Sequence, residues 1–297
     1  ENFSHKSNRM QQAQIYKANA LVEASYRLSV YEQRIVLACI AQVNRHEPLT
    51  DQQIYTVSAQ QIATMTDTKL DTAYQNLKAA SERLFERRVT LYKAPNGKGK
   101  PTVEITRWVQ TVSYQDNEGT VALRFGTDII PYLNQLTEQF TRYALADVAK
   151  MTSGYAIRLY ELLVQWRGTG ERVIELDWLR DALQLEGRYS NIRDLKRWVL
   201  EPAVAQVNEL SPLWVTWDQR KTGRKVTHIV FRFGEKPDSK PTQPKPSQRA
   251  ESSSPKLSLP KAYVEQHKGT DEGLAEADQR LLFEIRTGTR EPPIKTV

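Results

Sequence analysis

The sequence contains only one cysteine and four histidines in 297 residues. Because Cys39 is alone, no intrachain disulfide framework can form, and the composition fits a reducing compartment. The four histidines are scattered along the chain, so together with one cysteine they do not match the ligand spacing of a zinc site. We therefore expect neither a metal nor any other cofactor.

Long apolar runs and targeting signals are also lacking. The longest strongly apolar run, residues 35–41, falls far short of the ~20 residues that span a bilayer. Residues 1–10 are polar and do not resemble a cleavable signal segment. These features predict a cytoplasmic protein without a membrane partner.

Motifs for nucleotide hydrolysis and DNA nicking are missing as well. Residues 95–100 contain glycines and lysines, but not at the spacing of a phosphate-binding loop. The sequence has no His-hydrophobe-His pair that could hold the metal of a tyrosine nickase. Tyr155 and Tyr160 lie in an apolar helical pattern, which predicts core or domain-junction positions for them. We therefore predict that the protein is not an enzyme.

The positive charge of the chain is concentrated in one region. Lys+Arg exceed Asp+Glu by 42 − 35 = 7, and the sequence pI is about 9.3. Residues 188–232 hold nine basic and four acidic residues, a surplus of five within 45 residues. Such a local surplus is typical of a nucleic-acid-binding surface, although a solvated polar face can also show it.

The composition changes near Gly234. Residues 235–262 contain six prolines, six serines and no aromatic residue, so they cannot bury enough surface to offset their conformational entropy. We interpret this stretch as a linker. Over residues 272–286 the apolar residues again have helical spacing. This pattern fits either a short helix that packs on the preceding domains or a partner-binding helix at the end of the linker.

Upstream of the linker, the chain repeats one order of predicted elements, and its length agrees with two domains. Each half opens with an apolar helix, over residues 31–43 and 151–166, and Arg34 lies 124 residues before Arg158. A short strand follows, and then a helix with a capping residue, Ser58 in the first half and Asp177 in the second. The predicted strands and long helices are residues 55–57 and 68–88 in the first half, and residues 172–176 and 190–210 in the second half.

Each half then ends in a predicted β-hairpin, and Pro202 is expected to kink or restart the second long helix. The hairpins comprise residues 89–92 with 102–109 and residues 214–217 with 226–233. Ile105 and Ile229 are again 124 residues apart, so we infer a tandem duplication.

The order helix, strand, helix, helix, hairpin describes a winged helix, in which the second helix of the helix-turn-helix enters the major groove. The predicted fold class is α+β, a tandem duplication of two winged-helix domains with a disordered C-terminal tail. The predicted divisions are an N-terminal arm (residues 1–18), a first winged-helix domain for dimerisation and secondary DNA contact (19–138), a second, main DNA-binding winged-helix domain (139–234), and a Pro/Ser-rich linker with a short tail helix (235–297).

The candidate DNA-binding residues are mainly in the second half. Arg193 and Arg197 stand four residues apart on the polar face of the long helix and could contact guanine. Lys196 lies nearer the apolar stripe and is a weaker candidate. A solvated face paired with acidic neighbours is the alternative. The remaining candidates are Arg188, Ser190 and Asn191 at the helix entrance and Arg220, Lys221, Arg224 and Lys225 in the wing.

The first half is less basic at the matching positions. Its candidates are Thr72 and Gln75 on the helix and Lys98 and Lys100 in the predicted wing tip. Gln75 could contact adenine, although a polar surface residue is the commoner explanation of a glutamine there. We expect this domain to bind DNA more weakly or to use part of its surface for protein contacts.

Three segments resemble the RepB/RepA-type, iteron-binding plasmid replication initiators. Residues 19–43 resemble the opening box of that family, residues 140–166 its domain junction, and residues 221–233 a third box, in the expected order. The resemblance implies two winged-helix domains without enzymatic activity. It also implies that residues 190–197 make the main major-groove contacts and that the wing at residues 221–225 supports them.

The same resemblance implies the partners. Monomers would bind direct repeats in double-stranded origin DNA, help to open an AT-rich segment and recruit the host initiator and helicase. Homodimers, in equilibrium with the monomer and associated through the first domain, would bind an inverted repeat and repress the initiator's own gene. A winged-helix transcriptional regulator without an initiator role is the alternative, and a DNA-nicking rolling-circle initiator is less favoured.

Overall fold

The computed structural model describes residues 13–44, 47–93, 102–115, 118–134, 136, 139–237, 261–267, 277 and 281. In the first half the elements are β1 (Gln14–Ala18), α1 (Asn19–Glu23), α2 (Val30–Ile40), β2 (Tyr55–Ser58), α3 (Ala59–Thr66), α4 (Leu70–Leu84), β3 (Arg88–Lys93), β4 (Thr102–Arg107), β5 (Val109–Gln115), β6 (Thr120–Phe125) and a 3-10 turn (Thr127–Tyr132). In the second half they are β7 (Phe140–Ala144), α5 (Ala146–Ala149), α6 (Gly154–Val164), β8 (Glu171–Glu175), α7 (Leu176–Ala182), α8 (Ile192–Leu195), a π-helical turn (Lys196–Leu200), α9 (Glu201–Leu210), β9 (Leu213–Thr222) and β10 (Lys225–Glu235). A last helix, α10 (Lys261–His267), follows.

The two halves have the same architecture, as the repeat predicts. The sheets have the orders β2-β6-β5 and β8-β10-β9, with antiparallel pairing throughout. The opening helices α2 and α6 contain eleven residues each, and Arg34 and Arg158 are the fifth residue of their helices. The predicted tandem duplication of winged-helix domains is confirmed.

The helix starts follow from local capping. Ser58 accepts a hydrogen bond from the Gln61 backbone N–H, and the Gln61 side chain accepts one in return from the Ser58 N–H, so the predicted cap is correct. The predicted cap at Asp177 is wrong. Helix α7 begins at Leu176 after Glu175, which makes no side-chain cap, and Asp177 lies in the first turn, where its charge still favours the helix dipole.

The long helix of the second domain is interrupted before Pro202, as predicted. Pro202 has no N–H, and its ring would clash with the carbonyl of Trp198 in a regular α-helix. The backbone instead widens to a π turn, in which the Glu201 N–H donates to the Lys196 carbonyl, and α9 continues from there. We call the helix over residues 192–210, including its π turn, the recognition helix and the β9–β10 hairpin the wing.

The wing predicted for the first domain is wrong. Strands β3 and β4 do pair, but they form a separate two-stranded sheet, and the strands equivalent to the wing are β5 and β6. Ile105 is accordingly 63% exposed, whereas Ile229 is buried in the central strand of its sheet. The extra hairpin is an insertion between the helix-turn-helix and the wing. Between β5 and β6, the described residue Glu118 is acidic, whereas the tip of the second-domain hairpin is basic.

A buried ionic group joins the two domains, and we call it the junction cluster. The Glu161 carboxylate of α6 accepts hydrogen bonds from Lys17 Nζ at 2.6 Å, Tyr143 Oη at 2.5 Å, Arg158 Nη1 at 3.1 Å and Tyr26 Oη at 3.2 Å. Burial alone would raise the pKa of Glu161, but the two cations and the hydroxyl contacts hold it below its usual value.

Strand β1 also ties the start of the chain into the fold. Residues 14–18, part of the predicted N-terminal arm, pair antiparallel with β7. Around this pairing the helices and sheets of both domains share one continuous hydrophobic core. The chain up to Ser239 forms one compact unit, and residues 240–297 form another.

In the second unit, Val264, Ala277 and Leu281 are buried together. Most of the predicted linker and most of the predicted tail helix lie outside the described residues. The predicted bounds of the linker are wrong at both ends, because Glu235 is the last residue of β10 and α10 begins at Lys261. Ala277 and Leu281 belong to that predicted helix, and both are helical.

Candidate nucleic-acid interface

The recognition helix presents its arginines on the side away from the core. Asn191 caps the helix, because its side chain accepts a hydrogen bond from the Arg193 backbone N–H at 2.9 Å. Leu195 and Val199 are buried, whereas Arg193 and Arg197 are exposed. The predicted division of the helix into an apolar and a basic face is therefore confirmed.

The other basic residues at the helix differ in direction. The ammonium of Lys196 lies 5.8 Å from the ring centroid of Trp217 on β9, so this side chain packs towards the wing. Arg197 stacks on Trp198, with its guanidinium carbon 5.1 Å from the ring centroid. Arg188 lies in the same way over Tyr189, at 5.5 Å. These cation–π contacts limit the freedom of both arginine side chains.

The wing carries a dense basic tip. Its strands are joined through a two-residue turn, and Gly223 takes a φ of +60°, which the first central position of this turn requires. The four basic residues around it are all exposed: Arg220, Lys221, Arg224 and Lys225. Helix and wing therefore both carry exposed cationic side chains.

The turn in front of the recognition helix is contacted by a residue whose role the sequence did not reveal. Arg180 of α7 donates to the backbone carbonyl oxygens of Ser190 and Arg188, at 3.1 and 3.5 Å. These contacts cross an irregular turn, so no periodic pattern could have placed them. Ser190 and Asn191 are exposed at the helix entrance, as expected.

The candidate residues of the first domain that the structure describes are uncharged. Thr72 and Gln75 are exposed on α4. Leu70, the first residue of that helix, is 48% exposed. Lys98 and Lys100 lie outside the described residues. The second domain therefore holds the stronger candidate surface for a polyanion.

The two tyrosines considered as possible nucleophiles pack in the interior of the fold. Tyr160 is buried, and its hydroxyl donates to Asp147 at 2.7 Å; burial raises its pKa, the opposite of what an activated nucleophile needs. Tyr155 is partly buried and packs against the core. Across the part of the chain that the structure describes, no group of three or more His, Cys, Asp or Glu residues could hold a metal ion. No helix there has both the length and the apolar character needed to cross a bilayer.

Two winged helices in tandem, with an exposed basic recognition helix and wing in the second, define a DNA-binding protein of the helix-turn-helix class. The models of the initiator replication protein family match both domains: its first winged-helix domain over residues 14–164 and its second over residues 175–233. The chain belongs to this family of plasmid replication initiators.

Individual relatives agree with the family match. A replication initiation protein of Escherichia coli is 29% identical over 230 residues, which cover 75% of this chain and 70% of the relative. The PI protein of Escherichia coli is 23% identical over 249 residues, covering 72% and 80% of the two chains. A crystal structure of the Pi initiator in complex with iteron DNA has a TM-score of 0.63 and 21% identity, covers 77% of this chain and 99% of its own, and supports the fold.

Proposed function

We propose that the protein binds directly repeated sites at a plasmid origin through the recognition helix and wing of its second domain. The observation that carries the proposal is the exposed basic set formed by Arg193 and Arg197 on the helix and by the wing tip. Arginine side chains in the first turns of a recognition helix can form bidentate contacts with guanine, and wing cations contact the neighbouring phosphates. The solved complex of the Pi initiator with iteron DNA supports the same use of this fold.

In this proposal, binding of several copies promotes opening of the origin and recruitment of the host initiator and helicase. The protein acts on plasmid DNA in the bacterial cytoplasm and makes no covalent change to it. Family membership supports these steps. We further propose that a dimer formed through the first domain represses the initiator's own gene.

Footprinting of the DNA around the gene tests the assignment. We expect protection of several direct repeats next to an AT-rich segment. Protection of a lone inverted repeat at the promoter would instead favour a transcriptional regulator. Supercoiled origin DNA incubated with the protein should remain uncut, and a covalent tyrosyl adduct would contradict the proposed non-enzymatic role.

The affinity for DNA should depend steeply on salt. If the helix and wing together neutralise about six to eight phosphates, log K against log salt should have a slope of roughly −5 to −7. Fluorescence anisotropy over a salt series measures this slope. A slope shallower than about −2 would show that these side chains do not contact the phosphates.

We propose that the dimer contact lies on the outer face of the β3–β4 sheet. Val103 and Ile105 are 55% and 63% exposed there, and Tyr92 lies beside them. Among the described residues, β4 pairs only with β3, so its outer edge can accept a strand from a second copy. An exposed apolar face on an outer strand is typical of a protein interface.

A lysine at Ile105 should therefore weaken dimerisation. We expect Ile105→Lys to raise the dimer dissociation constant at least about tenfold, because each copy would then bury a charged side chain in an apolar contact. Sedimentation equilibrium measures this change. Thr56→Lys, at an exposed position of β2 in the other first-domain sheet, is the matched control. An unchanged dimer constant for Ile105→Lys would remove the interface from this face.

A further inference from the structure

The turn before the recognition helix uses backbone conformations that most side chains disfavour. It spans residues 183–191, and Gln184, Gly187 and Tyr189 have φ values of 48°, 69° and 50°. Glycine enters this left-handed region freely, whereas a residue with a Cβ is strained there. Gln184 and Tyr189 must therefore be held by their surroundings.

Arg180 contacts the backbone on both sides of Tyr189. Its Nη2 donates to the carbonyl oxygen of Ser190 at 3.1 Å, and its Nη1 donates to that of Arg188 at 3.5 Å. Because the guanidinium is planar and its N–H groups have a fixed spacing, it can bridge two carbonyl oxygens at once. The Tyr189 side chain packs against the core from the same turn.

The backbone held in this way leads directly into the recognition helix. Ser190 is followed by Asn191, whose side chain caps the helix through the Arg193 N–H at 2.9 Å. A displacement of the Ser190 carbonyl would therefore move the helix cap and, with it, the first arginine of the basic face. Bidentate contacts with a base depend on such placement, whereas attraction to phosphates depends far less on it.

We propose that Arg180 is a positioning residue for sequence-specific DNA binding. It fixes the left-handed turn at Tyr189 and so sets the position of Arg193 on the DNA. This inference rests on the proposed function, that the recognition helix binds specific sites. It assigns to α7, the first helix of the motif, a role in discriminating between sequences.

The test compares Arg180→Met in the full-length chain on an origin repeat and on random DNA. Methionine keeps an unbranched stem and removes the guanidinium. We expect affinity for the repeat to fall at least about tenfold and affinity for random DNA to fall less than about twofold, with an unchanged salt slope. Arg180→Lys, which can reach one carbonyl, should have an intermediate effect. Arg167→Met is the matched control, because this exposed arginine donates to the Arg142 carbonyl at 3.3 Å.

A second background separates positioning from general destabilisation. Tyr189→Gly lets residue 189 adopt its positive φ without strain. In that background, Arg180→Met should lower the affinity for the repeat by about threefold, compared with about tenfold in the unmodified protein. The same loss in both backgrounds would overturn the proposal. Equal losses on the repeat and random DNA, with a salt slope reduced by about one, would also overturn it, because they indicate a direct phosphate contact.

The controls also separate failure of this inference from failure of the proposed function. If the unmodified protein does not prefer the repeat to random DNA, the proposed function fails and the inference falls with it. If the unmodified protein prefers the repeat and Arg180→Met retains the full preference, only the positioning role is overturned. Thermal unfolding of each variant shows whether it is folded at the assay temperature.

Discussion

Replacing Glu161 with glutamine is expected to lower the free energy of unfolding by about 3–5 kcal/mol. The variant leaves Lys17 and Arg158 in the junction cluster without their carboxylate, and both side chains are almost fully buried. An uncompensated buried charge is far more costly than a lost surface pair. Urea unfolding followed by tryptophan fluorescence measures the change.

Two comparisons show that the loss comes from the buried charge. Adding Lys17→Met to the glutamine variant should recover part of the stability, because one of the uncompensated cations is removed. Glu171→Gln breaks an exposed pair with Arg232 and should change stability by no more than about 1 kcal/mol. If Glu161→Gln is as mild as Glu171→Gln, the cluster does not hold the domains together.

The cluster also predicts a pH dependence. The pKa of Glu161 in the folded protein is below its ordinary value of 4.5, so the folded state binds fewer protons than the unfolded state in that range. Its stabilisation is therefore complete above about pH 4.5 and is lost as the pH falls through the folded pKa. Unfolding free energies measured between pH 3 and pH 7 should decline more steeply for the unmodified protein than for Glu161→Gln.

Local patterns in the sequence predicted the parts of the fold that are decided locally. The cap at Ser58 and the break before Pro202 both depend on a few neighbouring residues, and both are found. The repeated helix predicted around Arg34 and Arg158 is also found, because in each domain the spacing of the apolar residues favours a helix that packs into the core. These features require no knowledge of distant parts of the chain.

Long-range pairing could not be predicted in this way. Alternating residues indicate a hairpin, but they do not show which sheet it joins, so β3–β4 was mistaken for a wing. The junction cluster is outside local prediction for a related reason: Lys17 lies 144 residues from Glu161, and no local pattern pairs them. Arg180 contacts an irregular turn, whose conformation has no period to detect.

The combined substitution Arg193→Ala and Arg197→Ala should weaken binding to an origin repeat by about 2–6 kcal/mol, or roughly 30-fold to 10⁴-fold, if each arginine contributes a bidentate base contact of about 1–3 kcal/mol. Both residues are exposed, and alanine favours the helix, so the fold should be unaffected. Anisotropy titrations with the repeat and with random DNA measure the loss. Arg232→Ala, an exposed arginine paired with Glu171 at 3.0 Å, is the matched control.

The comparison of the two DNAs decides what the arginines contact. Base contacts make the loss much larger on the repeat than on random DNA, because random sequences do not offer the matching guanine edges. Phosphate contacts alone make the two losses equal and reduce the salt slope by about one for each arginine. Since Arg197 is already stacked on Trp198, its ordering costs little on binding. We therefore expect the single variant Arg197→Ala to account for at least half of the binding free energy that the double variant loses on the repeat. A negligible effect of the single variant would show that only Arg193 contacts the bases.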